Sequence, residues 1–132
     1  AITLLYLDID NLKTINDENG HAAGDVVITT FAERLQRCVH ADDLVARLGG
    51  DEFAVLIENP VPESGENIAK KFRTIMEKPV IVDDMKLMVT ASIGVAYCAQ
   101  TPSAKELGSL ADKALYAAKS AGRANYQTVV GQ

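Results

Sequence analysis

Ile2-Thr3-Leu4-Leu5-Tyr6-Leu7 is a near-continuous apolar run, the pattern of a strand buried on both faces. Such a strand needs a packing layer on each side, which points to the centre of a sheet rather than a surface ribbon. The run ends in Asp8-Ile9-Asp10-Asn11, so carboxylates emerge at its carboxyl end, where open α/β sheets usually bind ligands. A second constraint is the stretch from Arg47 to Ile57. Two short apolar runs, Leu44-Val45-Ala46 and Phe53 to Ile57, flank Gly49-Gly50-Asp51-Glu52. A Gly-Gly pair between β-type runs reads as a hairpin turn, because both residues tolerate positive φ. Asp51 and Glu52 then stand at the tip of a ribbon, and bare glycines let something bulky approach the backbone. Acids at a tip also simply keep a turn soluble, and the stretch alone leaves both readings open.

The remaining pattern interleaves helices and strands. A short turn or helix runs through Leu12 and Ile15, followed by a polar loop from Asn16 to Gly20. A long helix is expected from Ala22 to Val39, because Val27, Phe31, Leu35 and Val39 recur at helical spacing, with Ile28 and Ala32 widening the face. Residues 59–65 read as a loop, and a helix from Gly65 or Glu66 to Glu77 is ended by Pro79. Val80 to Val82 and a run from Lys86 through Tyr97 read as two strands joined by an acidic turn at Asp83-Asp84, with Gly94 as a bulge. Ser103 and Glu106 have capping-box spacing ahead of a helix striped by Leu107, Leu110, Ala111, Ala114, Leu115 and Ala118. Gly122 stops that helix, and Tyr126 to Val130 forms a last strand. The order β-α-β-β-α-β-β-α-β predicts an α/β or α+β domain with a mostly antiparallel central sheet.

With 132 residues, 48% of them hydrophobic, the chain suits one domain with a single core. No apolar run is long enough to span a bilayer, and the first residues lack a signal-peptide pattern. The abrupt start in a strand is expected of a piece excised from a longer protein. A net charge of −5 argues against a nucleic-acid polymer as ligand. It leaves nucleotides open, since metal ions bridge carboxylates to phosphates. Cys38 and Cys98 have no zinc-type spacing and read as buried or half-buried free thiols in a reducing compartment, with a disulfide as the minor alternative.

Asp8, Asp51 and Glu52 converge on one sheet edge if their strands are neighbours, a set that suits Mg²⁺ and in-line displacement at phosphorus. Asp10 is expected instead to cap the following turn. Lys13 lies just past the first acids, and Lys119 and Arg123 are four apart at a helix end. Basic residues also gather at helix C-termini because they suit the dipole. Asn16 and Asp25 offer an amide and a carboxylate matched to the polar edge of guanine, although Asp25 equally fits as a first-turn acid. His21 has no second histidine at a ligand spacing.

Gly49-Gly50-Asp51-Glu52-Phe53 spells the signature of the GGDEF diguanylate cyclases. Asp8-Ile9-Asp10, Lys13, Asn16-Asp17, Gly20-His21, Gly24-Asp25, Arg47-Leu48, Ala111 to Lys119 and Gly122-Arg123 resemble that family's pattern in order, over essentially the whole chain. The resemblance implies a single GGDEF domain over residues 1–132, without its leading helix. It implies a palm-like, nucleotidyl-cyclase-like fold: a mostly antiparallel sheet of about five strands surrounded by helices. It further implies a homodimer that condenses two GTP into cyclic di-GMP, with Mg²⁺ (Mn²⁺ as a substitute) held by Asp8, the Ile9 carbonyl and Asp51. By the same resemblance Asp51 is the candidate base, supported by Glu52. Lys13 stabilises the reacting phosphate, Asn16 and Asp25 read guanine, Gly49 and Gly50 give clearance, and Lys119 with Arg123 holds the terminal phosphates. The setting implied is the cytoplasmic part of a bacterial signalling protein with attached sensor or phosphodiesterase domains.

Three departures stand out. Many members carry Arg-x-x-Asp, a product-inhibition site, just upstream of the signature; here the frame reads His40-Ala41-Asp42-Asp43. A neutral imidazole cannot make a permanently charged bidentate contact to phosphate, so feedback through that site is expected to be weak or absent. Leu12 and Asn19 stand where aromatic residues are frequent. The alternative function is a silent GTP-binding module that controls an attached domain. The retained Asp8, Lys13, Asn16, Asp25, Asp51 and Glu52 favour the enzyme.

Overall fold

The structure is a computed structural model that describes residues 1–58 and 60–131. In chain order the elements are β1 (Ile2–Ile9), α1 (Leu12–Asn19), α2 (His21–Cys38), β2 (Leu44–Arg47), β3 (Glu52–Glu58), α3 (Ser64–Ile75), β4 (Val80–Val82), β5 (Met85–Leu87), β6 (Ala91–Cys98), α4 (Ala104–Ser120) and β7 (Tyr126–Gly131). Five strands form one sheet in the order β2-β3-β1-β6-β7, and β4 with β5 forms a separate ribbon. Only the β6–β7 pairing within the sheet is parallel. The expected α+β architecture and mostly antiparallel sheet are therefore observed.

β1 lies at the centre, paired with β3 on one side and β6 on the other. Its residues alternate between two cores, as strand geometry dictates. Leu5, Leu7 and Ile9 join Val27, Phe31 and Leu35 of α2 and Phe72 of α3. Leu4 and Tyr6 join the smaller cluster built around Leu107 and Ala111 of α4. Phe53 of the glycine-acid signature belongs to the first core: its ring lies 5.0 Å from that of Phe31, which also meets Phe72 edge-on at 4.7 Å. An aromatic pair adds roughly 1 kcal/mol beyond area burial, so this phenylalanine anchors the hairpin on α2.

Several expectations need correction. Residues 16–19 are helical rather than a loop, with α1 closed by Gly20 N–H donating to the Asn16 carbonyl at 2.7 Å. Gly20 has φ 89° and turns the chain directly into α2. The strand expected from Lys86 to Tyr97 is broken, because the Thr90 carbonyl accepts from the Asp10 N–H and so leaves the β5 ribbon. Gly94 is no bulge: it pairs in unbroken register with Tyr6 and Gln127. A Cβ there would collide with the backbone of Ala111 and Leu115, so this glycine sets how closely α4 sits on the sheet. Ser103 caps α4 as expected, accepting from the Glu106 N–H at 3.1 Å. Cys38 and Cys98 are free and buried. Asn59, which opens the expected loop of 59–65, lies outside the described residues. No helix among the described residues is long and apolar enough to cross a membrane.

Candidate active site

The carboxyl end of β1 meets the beginning of β3. Asp8 stands directly opposite Glu52 in the antiparallel register, and opposed residues share a face of the sheet. The Ile9 N–H donates to the Asp51 carbonyl at 2.9 Å, which holds the hairpin turn against the end of β1. The expected convergence of Asp8, Asp51 and Glu52 is thus a consequence of strand order and register.

Asp8 is 8% exposed. Its Oδ2 pairs with the Lys119 ammonium of α4, while its Oδ1 is buried without a hydrogen-bond partner. Burial pushes the Asp8 carboxyl up to about 6; the neighbouring Asp51 carboxylate adds to the rise and Lys119 opposes it. A buried oxygen without a partner, next to a second carboxylate, fits a hard cation that takes oxygen ligands. Among the described residues no three His, Cys, Asp or Glu side chains close on one point.

The turn between β2 and β3 is organised by a residue whose role the sequence did not disclose. The Arg47 guanidinium donates to the carbonyls of Gly49 (2.9 Å) and Gly50 (2.8 Å). The glycines themselves differ from expectation. Neither Gly49 nor Gly50 has a positive φ, and a Cβ on either would meet no atom of the protein within 4 Å. The fold does not require glycine at these positions.

Asp10 is not a cap. Asn11, in the left-handed region at φ 60°, opens α1 with no side-chain cap bond. Asp10 is 5% exposed and accepts from Thr90 Oγ1 and Ser92 Oγ, both at 2.7 Å, and from the Ala124 N–H at 3.0 Å. It joins the end of β1 to the chain that leaves α4.

That exit also departs from the helical-face reading of Lys119 and Arg123. α4 ends at Ser120, so Arg123 is not on the helix. The Gly122 N–H reaches the Lys119 carbonyl at 3.2 Å and the Arg123 N–H reaches that of Ala118 at 3.1 Å, the paired bonds of a Schellman turn. Lys119 pairs with Asp8, and Arg123, four residues further along the chain, is exposed.

The remaining predicted residues are not joined to this cluster by any hydrogen bond or ion pair among the described residues. Lys13 is exposed on the first turn of α1, and Asp25 is exposed on α2. Asn16 is half-buried on α1, with an Oδ1 that has no partner. It lies against Gly24, where a Cβ would fall on that oxygen; Gly24 is therefore the cradle of Asn16.

The family profile "Diguanylate cyclase, GGDEF domain" matches residues 1–125. This chain belongs to the GGDEF family. It is 41% identical over 125 residues to "Diguanylate cyclase A" of Treponema denticola, covering 93% of this chain and 34% of that protein. It is 39% identical over 124 residues to "Bifunctional diguanylate cyclase/cyclic di-GMP phosphodiesterase MucR" of Pseudomonas aeruginosa, covering 93% of this chain and 18% of that one. The chain thus spans about a third or less of these relatives. The crystal structure of the GGDEF domain of PA1120 (YfiN or TpbB) from Pseudomonas aeruginosa superposes with a TM-score of 0.89 at 36% identity, over 99% of this chain and 83% of the other. The resemblance read from the motifs is borne out.

Proposed function

We propose that this chain is the catalytic domain of a diguanylate cyclase that condenses two GTP into cyclic di-GMP and two pyrophosphates within a homodimer. The observation that carries the reading is the Asp8 carboxylate, buried with one oxygen unpartnered, beside Asp51 at a turn open to a ligand. Asp8, Asp51 and the Ile9 carbonyl would hold Mg²⁺, with Mn²⁺ as a substitute. The bound ion supplies Lewis acidity at the α-phosphate and eases ionisation of an attacking hydroxyl.

The chain's own groups divide the remaining work. Asp51 accepts the proton of the ribose 3′-hydroxyl, which comes from the GTP on the other subunit, and Glu52 supports the carboxylate pair from the adjoining strand position. Lys119, which pairs with Asp8, turns with Arg123 to the terminal phosphates. Lys13 at the start of α1 meets negative charge on the reacting phosphate. The unpartnered Asn16 Oδ1 accepts from a guanine N–H and Asp25 from another, which selects guanine over adenine. Gly49 and Gly50 let the nucleotide lie against the turn. Sensor or phosphodiesterase domains attached in the parent protein would set when this happens.

The test incubates the full-length protein with GTP and Mg²⁺ at a concentration that supports dimers. The expected result is cyclic di-GMP with pyrophosphate in a ratio of one to two, abolished by chelation. GTP binding without product would favour instead the silent regulatory module.

A further inference from the structure

Three successive residues after α4 lie in the left-handed region: Gly122 (φ 108°), Arg123 (φ 62°) and Ala124 (φ 51°). A Schellman turn needs one such residue, and glycine serves there without cost. Arg123 and Ala124 carry Cβ atoms, and Ala124 has no side chain with which to stabilise itself locally. Backbone of this kind persists only where its surroundings over-determine it. Two side chains do so here. Asp10, buried at the end of β1, accepts from the Ala124 N–H at 3.0 Å. The same carboxylate is fixed by Thr90 and Ser92, at 2.7 Å each. Asn125 Nδ2 donates to the carbonyls of Arg123 (2.7 Å) and Ala118 (2.9 Å), bracketing the turn from the other side. Since Asp10 lies two residues past Asp8, the chain just beyond the strand that presents that carboxylate also fixes the end of the turn that carries Arg123.

We propose that Asp10, with Asn125, is a positioning residue for phosphate recognition: it holds residues 122–124 in a strained left-handed turn that aims Arg123 at the terminal phosphates of GTP. Three donors already occupy the Asp10 carboxylate, so it acts through the turn and not as a ligand of the ion. The inference rests on the reading of Arg123 as a phosphate contact, and the experiment separates the two.

In full-length protein with Mg²⁺, calorimetry compares 3′-deoxy-GTP, which binds but cannot condense, with GMP, which lacks the terminal phosphates. Asp10→Asn keeps the shape but loses the charge-assisted bond, and is expected to weaken the triphosphate by about tenfold while leaving GMP unchanged. Asn125→Ala, which leaves the buried carboxylate in place, is expected to show the same triphosphate-selective loss should Asp10→Asn fold poorly. Adding Ala124→Gly to Asp10→Asn restores most of the affinity, because glycine needs no bracket to adopt the turn. Equal weakening of GMP, no change in triphosphate affinity, or no rescue by Ala124→Gly would overturn the proposal. If Arg123→Ala itself leaves the triphosphate affinity unchanged, the phosphate reading falls and the positioning role with it. If Arg123→Ala weakens binding but Asp10→Asn and Asn125→Ala do not, only the positioning role falls.

Discussion

Two turns meet near Asp8, and they use glycine in opposite ways. The β2–β3 turn has a glycine pair where neither backbone angle nor internal packing requires it. The turn after α4 places Arg123 and Ala124 in left-handed geometry that favours glycine, at a cost of roughly 1–2 kcal/mol for each such residue. The first turn gives up side chains without structural need; the second retains them against strain. Both departures make sense if a ligand lies between the turns, with bare backbone on one side and an oriented guanidinium on the other. Local rules fail at these two turns while they succeed over most of the fold, which is where a functional site is expected.

The contrast can be broken first at the carboxylates. Asp8→Asn is expected to lower cyclase activity by roughly 10³-fold, since it removes a proposed metal ligand from the proposed reacting centre. The same change should raise the stability of the metal-free protein. The Asp8 carboxyl is held at about 6 in the folded chain against an ordinary 3.8, so the folded state binds the proton more tightly than the unfolded one. The contribution of Asp8 to wild-type stability is then full below about pH 4, falls as pH rises to about 6, and stays lower above it. Thermal melts of metal-free protein between pH 4 and 7 should show this decline in the wild type and much less of it in Asp8→Asn.

Ala124→Gly sharpens the other side of the contrast. It removes the strain at the second turn and is expected to stabilise the protein by about 1 kcal/mol in denaturant melts, with cyclase activity retained because Asp10 still fixes the turn. Loss of stability in that variant would mean that the left-handed geometry is not strained. The smallest expected effect concerns His40, which lies with Asp43 and Lys71 around a cavity of only about 130 Å³. The Asp43 carboxylate there is already engaged by the His40 N–H at 2.8 Å. Micromolar cyclic di-GMP is expected to leave the initial rate unchanged, in wild type and in His40→Ala alike. Inhibition that His40→Ala relieves would show that this corner still binds product.

Much of this arrangement was legible in the sequence, for identifiable reasons. Packing on both faces of β1 follows from a near-continuous apolar run, although the face of Ile2, Leu4 and Tyr6 is only half-buried where that of Leu5, Leu7 and Ile9 is buried; the meeting of Asp8 with Asp51 follows from acids placed at the ends of adjacent strands. What stayed hidden depends on contacts between distant parts of the chain. Asp10 looks like a local cap until Thr90, Ser92 and Ala124 fold onto it from 80, 82 and 114 residues away. Gly94 resembles a bulge until α4 is seen lying against it. Arg47 carried a usable signal, since a basic side chain two residues before a glycine turn can reach the turn's carbonyls. The polar neighbours of Asn16 read as a loop; in the fold they are the exposed side of α1, which carries Asn16 to the cradle at Gly24.

The most direct test compares wild-type full-length protein with Gly50→Ala, measuring cyclic di-GMP formation from GTP and Mg²⁺ alongside the melting temperature. A Cβ at Gly50 meets nothing in the protein, so the melting temperature should be unchanged. The same Cβ would intrude on a nucleotide lying against the turn, and product formation should fall by about 10²-fold. A Gly50→Ala protein as active as the wild type, or one that melts several degrees lower, would contradict the account.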